Sequence, residues 1–271
     1  MSLQTRGFFL PEIDRFRGAV RNLPECKLWF QFAEDLNALG HEILAGHEAP
    51  LNDRQRFTIT MLFIRVHQSF QAAVVLAERG MIGDARTVLR SAVESAIALW
   101  AVAADPTFID NLIGAHRKTQ LTVARMILDD PDYRVSYSAE EIAQMTSTIA
   151  ALEALKGRRG EAKAINWAAV ARVHCKDLYN SLYRIFSGDA VHTTIHALNR
   201  HVEAGDDMQI TALKVGPDIA NMVDTLSGAC MTFLWGAEPF ARAFEQNDIL
   251  SRIHKEVQRF SETPRDEPKG I

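Results

Sequence analysis

Arg86, Arg90 and Glu94 follow at four-residue spacing in Arg86-Thr87-Val88-Leu89-Arg90-Ser91-Ala92-Val93-Glu94, inside an otherwise apolar stretch. Further along, Tyr179, Tyr183 and Ser187 repeat that spacing, and Gly188, Asp189 and His192 come soon after. A charged side chain on a core-facing stripe is costly unless paired, so such residues either lock an architecture or line a site. The segment Ser187-Gly188-Asp189 reads as the end of one helix and the start of the next, turning backbone N–H groups into a corner beside His192. A helix N-terminus, a histidine and two arginines suit a small anion such as phosphate. The candidate ligand-binding set is Arg86, Arg90, Glu94, Tyr183, Ser187 and His192.

At about 100° per residue, Val88, Leu89, Ala92, Val93, Ala96, Ile97 and Trp100 form one apolar arc. Arg86 falls inside it, with Arg90 and Glu94 on its edge. Both arginines are therefore expected to be mostly buried and bonded to a carboxylate or backbone carbonyl. An intrahelical Arg90–Glu94 pair serving the architecture alone is the competing reading. It is weakened because Arg before Glu is the poorer order and two arginines need more than one acid. The hydroxyl stripe borders an apolar face of Trp167, Ala171, Leu178, Leu182 and Ile185, where tyrosines are commonly amphipathic core edges.

Other chemistry-bearing residues read more weakly. His192 and His196 share a helix face at metal-ligand spacing, with Asp189 one turn earlier. No His-Glu-x-x-His glutamate accompanies them, and nine histidines make one such spacing unsurprising. Neither a metal nor a cofactor is expected. His67, at the edge of the face of Ile59, Phe63, Val66 and Phe70, reads as a satisfied core histidine. Gly157-Arg158-Arg159-Gly160, with Lys156 and Lys163, is a basic turn that suits solvent or RNA equally. Phosphate-cradling and nucleophile-elbow glycine motifs are absent, which argues against P-loop and α/β-hydrolase chemistry.

The elements that must position these residues are helices. Pro11 opens one to Arg21, Pro24 one to Gly46, and Asn52 or Asp53 caps one to Arg79. Others span Gly83 to Ala104, Phe108 to Leu128, Ser138 to Leu155 and Asn166 to Phe186. Asp189 is read as capping a helix to His201, and Pro217 as opening one to Phe244, with an amphipathic helix from Ile249 to Phe260 behind it. No sustained two-residue alternation appears. The expected fold is all-α, a single multi-helix bundle of about eight to ten helices over residues 1–260, with a polar, disordered tail over 261–271.

The 271 residues are 47% hydrophobic and 24% charged, with a formal net charge of −4. Such a chain builds a substantial core and carries no whole-domain basic footprint for nucleic acid. Cys26, Cys175 and Cys230 are widely spaced and odd in number, as free thiols of a reducing compartment are. The N-terminal residues lack the apolar run of a secretory signal, and Ala96–Ala104 is short for a membrane span. The protein is expected in the cytoplasm, with no membrane partner.

Two motifs carry a resemblance: Arg-Ser-x-x-Glu (Arg90 to Glu94) after a short glycine turn, and Tyr-x-x-x-Ser (Tyr183 to Ser187) ahead of His192. Together they resemble a bacterial family of helical proteins catalogued as domain of unknown function 5677, over roughly residues 55–240. The resemblance points to Arg90, Glu94, Tyr183, Ser187 and His192 and implies no known activity. More loosely, the second motif is similar to the helical HEPN group, which includes metal-independent RNA-cleaving toxins and defence proteins. That likeness implies a homodimer acting on RNA, with His192 as general acid or base and Arg184 stabilising charge on phosphate. Seven residues between Arg184 and His192 exceed that group's spacing. Enzyme and binding protein both remain open at this point.

Overall fold

The computed structural model describes residues 7–46, 51–188, 194–204 and 209–268, and it is all-α apart from one two-stranded hairpin. The long helices are α1 (Ile13–Asn22), α2 (Pro24–Ala45), α3 (Arg54–Ala77), α4 (Ile82–Ala104), α5 (Phe108–Asp129), α6 (Ala139–Glu153), α7 (Trp167–His174), α8 (Met222–Ala243) and α9 (Asn247–Glu262). They group into two compact units, Met1–Ala103 with Ala171–Ile271, and Ala104–Val170.

In the first unit α8 is the central element, packed on α2, α3 and α9. Its sequence is apolar nearly all round, as a helix enclosed by neighbours must be, and Leu226, Cys230, Phe233 and Phe240 are fully buried. Helix ends follow local chemistry. Pro24 occupies the first turn of α2, where its missing N–H costs nothing. The Asp53 carboxylate accepts the Arg56 N–H at 3.0 Å to cap α3. The Gln55 amide donates to the carbonyls of Val102 and Ala103, which the end of α4 leaves without helical partners. By length and composition α3 and α4 could each cross a membrane, yet the residues responsible, such as Phe63, Phe70, Leu89 and Ile97, are buried in this unit.

The second unit is built on α5 and α6. Ser138 and Glu141 form a reciprocal cap at the start of α6: the serine hydroxyl accepts the Glu141 N–H, and the Glu141 carboxylate accepts the Ser138 N–H. The polar stretch before it contains a single helical turn, Pro131–Arg134, with Asp130 as its cap.

Four expectations about the elements need correction. The continuous helix from Asn166 to Phe186 is instead interrupted. Helix α7 stops at His174, Cys175 adopts φ −158° and ψ 54°, and the chain resumes as a short helix, Lys176–Leu178. It then widens into a π turn over Tyr179–Tyr183 and closes with Arg184–Phe186. The wider turn rotates the residues after it, so Ile185, assigned to the apolar face, is 47% exposed and Phe186 is buried in its place. The helix read as running from Asp189 to His201 starts outside the described residues; among those described it comprises Ile195–Leu198, begun after the extended Thr194, and a 3-10 turn over Asn199–His201. There the Thr194 hydroxyl accepts the Ala197 N–H at 3.1 Å.

Pro217 does not open α8. It packs against Gly80 while the Asp218 N–H donates to the Gly80 carbonyl at 3.0 Å, and α8 begins after Asn221, whose φ is 59°. Finally, β1 (Val202–Ala204) and β2 (Ile210–Leu213) pair antiparallel with a bulge at Glu203/Ala204.

The residues after α9 that are described, 263–268, are tied to the first unit. The Trp29 indole donates to the Pro264 carbonyl at 2.7 Å. The Glu267 carboxylate accepts the N–H groups of Val223 and Asp224 at 3.1 and 2.7 Å, capping α8.

Candidate functional site

The stripe on α4 meets the segment after the π turn. The guanidinium of Arg90 donates from Nε to Ser187 Oγ at 3.0 Å and from Nη2 to the Tyr183 hydroxyl at 2.7 Å. That hydroxyl donates in turn to Glu94 Oε1 at 3.0 Å, while Arg90 Nη2 lies 3.2 Å from the same oxygen. Arg90, Glu94, Tyr183 and Ser187 thus form one closed polar cluster across two elements. The Arg90 guanidinium also lies 4.8 Å from the Tyr183 ring centroid, and that ring stacks on Tyr179 at 4.7 Å. Burial raises the Tyr183 phenol above its ordinary pKa, and the neighbouring Glu94 carboxylate adds to that.

Arg86 sits one turn earlier on α4 and is 2% exposed. Its partners come from α8: Nε donates to Thr225 Oγ1 at 2.9 Å and Nη2 to Asp224 Oδ2 at 3.1 Å. The ring of Phe186 lies 5.9 Å from its guanidinium. Phe186 itself lies against Gly228 of α8, where an added Cβ would come within 2.6 Å of the ring tip. The missing side chain therefore lets the Tyr183–Ser187 segment approach α8, which fixes its position beside α4.

Both arginines are mostly buried and paired with a carboxylate, as expected: Arg86 is 2% exposed and faces Asp224, while the side chains of Arg90 and Glu94, on the edge of the arc, are 25% and 24% exposed. Arg184 is exposed, on a different side of its turn from Tyr183 and Ser187. His192 and Asp189 lie outside the described residues. Among the described residues no group of three or more His, Cys, Asp or Glu is arranged to hold a metal.

Sequence reasoning left out Thr225, Asp224 and Glu267. Glu267 is a half-buried carboxylate whose pKa is raised by desolvation, partly opposed by the α8 N–H groups and by Arg86. The one signal for them was indirect: a core arginine at position 86 demands a partner from elsewhere. His67 is a core residue, 2% exposed, with Nε2 3.0 Å from Asn37 Oδ1, an oxygen that also accepts from Gln71.

Chemically, the cluster is balanced. Arg90 and Glu94 cancel in charge, and the Tyr183 hydroxyl is engaged both as acceptor and as donor. An anion reaching Arg90 from solvent would compete with Glu94 for the guanidinium.

No curated protein and no solved structure matches the chain. A family model does match residues 56–209, more than half of the chain, and the match takes in both halves of the polar cluster. The chain belongs to DUF5677, a family of unknown function.

Proposed function

We propose that this is a cytoplasmic binding protein in which Arg90 takes up a small anion. The observation that carries this reading is the state of Arg90: a quarter exposed, and held by Glu94 in an ion pair that a phosphate or carboxylate can replace. Ser187 and Tyr183 already stand within hydrogen-bond distance of the same guanidinium and would complete the ligand's surroundings. Sequence position assigns His192 to the same site. The doubly engaged Tyr183 hydroxyl, with its raised pKa, suits a positioned binding group better than a nucleophile. The buried thiols of Cys26 and Cys175, both pushed up to about 12 by burial, are unreactive and fit a reducing compartment.

Titration with inorganic phosphate, followed at the backbone amides of Arg90 and Ser187, tests this. Saturable shifts are expected, weakened at least about tenfold in Arg90→Gln. Absence of saturation, or equal binding by Arg90→Gln, would leave the cluster a purely architectural clasp. RNA cleavage that survives EDTA and is lost in His192→Ala would replace binding with catalysis.

A further inference from the structure

The basic turn that follows α6 is built more firmly than a solvated connection needs to be. Gly157 and Gly160 adopt φ of 73° and 72°, which favours glycine. The Gly157 N–H donates to the Glu161 carboxylate, and Arg117 of α5 donates to the Gly160 carbonyl. The Lys163 N–H donates to the Gly114 carbonyl of α5 at 3.1 Å, and Arg159 pairs with Asp110.

Beside this turn, within the second unit, lies a cleft of about 730 Å³ bounded by α5, the turn and the residues leading into α7. Its lining holds three cations, Arg158, Arg159 and Lys163, and two carboxylates, Asp110 and Glu161. Asp110 is taken by Arg159, and Glu161 is turned onto the Gly157 backbone. Among the described residues no ion pair engages Arg158 or Lys163. The lining also holds the apolar side chains of Phe108, Ile165 and Val170, and Asn111 contributes an amide. Another cleft of this unit, about 470 Å³ between α5 and α6, is lined by no cation.

We infer that the larger cleft is a second binding site, for a small phosphate-bearing molecule with a flat apolar body, about the size of a nucleoside monophosphate. Arg158 and Lys163 take the phosphate as charge-assisted donors, and the side chains of Phe108, Ile165 and Val170 take the body. The volume lies within the range of about 300–1,000 Å³ usual for small-molecule sites.

The test uses the full chain with adenosine 5′-monophosphate, adenosine and inorganic phosphate as probes, followed at the amides of Asn111, Gly160 and Lys163. Saturable binding of the monophosphate is expected. Adenosine and phosphate should each bind about tenfold or more weakly than the monophosphate, and the Arg158→Ala/Lys163→Ala double variant should bind the monophosphate about tenfold or more weakly than the parent. Both replaced side chains are exposed, so the variant's melting temperature should stay unchanged. Shifts at Asn111, Gly160 and Lys163 should saturate independently of any at Arg90 and Ser187, which separates this site from the one on α4. Monophosphate binding undiminished in the double variant, phosphate binding as tight as that of the nucleotide, or no shifts at these amides would overturn the inference. So would binding of RNA oligonucleotides without binding of the monophosphate.

Discussion

Arg86→Ala is expected to cost about 3 kcal/mol of folding stability in urea or thermal denaturation. The guanidinium is 2% exposed and bonds Thr225 and Asp224 of α8. Its loss removes packing against Phe186 and takes away the cation facing the half-buried Glu267 carboxylate. Asp224 can turn to water, because its side chain is 57% exposed, so the deficit falls mainly on the space left behind and on Glu267. Arg86→Met, which keeps the aliphatic stem, should recover part of the loss. Arg90→Ala should cost less, about 1 kcal/mol, because its site already admits water. A change for Arg86→Ala within about 0.5 kcal/mol, as for an ordinary surface substitution, would show that the buried pair does not hold α4 to α8.

The second large effect is one of pH. His67 has its pKa lowered to about 4, chiefly by burial and further by the neighbouring His41, with the bond to Asn37 acting the other way. In the unfolded chain a histidine titrates near 6.5. Above that value both states are neutral at this position, and stability is unaffected. Between about pH 6.5 and pH 4 the unfolded chain binds a proton that the folded chain refuses, so stability falls with pH across that window, by about 3 kcal/mol. His67→Gln keeps a donor for Asn37 but cannot titrate there. Urea midpoints measured from pH 7 to pH 4.5 should decline less steeply in the variant than in the parent. Parallel declines would mean that His67 is protonated in the folded protein.

Much of this architecture is written locally. Proline at position 24, the Asp53 cap and the Ser138/Glu141 pair each end or start a helix by satisfying particular backbone groups, and the structure uses all three. The cluster was legible for a similar reason. Polar residues at four-residue spacing on an apolar arc must meet partners, and two such stripes facing each other supply them. The features that stayed hidden depend on contacts between distant residues or on small backbone departures. Nothing in the apolar spacing from Trp167 to Phe186 marks the break at Cys175 or the π turn, because a single widened turn leaves helical periodicity nearly intact. Strand β2 is exposed along all four residues, so it has no buried face to impose alternation. The partners of Arg86 lie on α8, far along the chain, and no spacing rule reaches that distance.

The clasp between α4 and the Tyr183–Ser187 segment is tested most directly by a double-mutant cycle on Arg90→Ala and Tyr183→Phe, read by urea denaturation. The hydroxyl removed from Tyr183 is the group that accepts from Arg90 and donates to Glu94. Each single change should therefore already break the shared network, and the double variant should be more stable than the sum of the two losses implies, by about 1 kcal/mol. Losses that add to within about 0.3 kcal/mol would show that the two side chains do not act together, and would contradict the clasp.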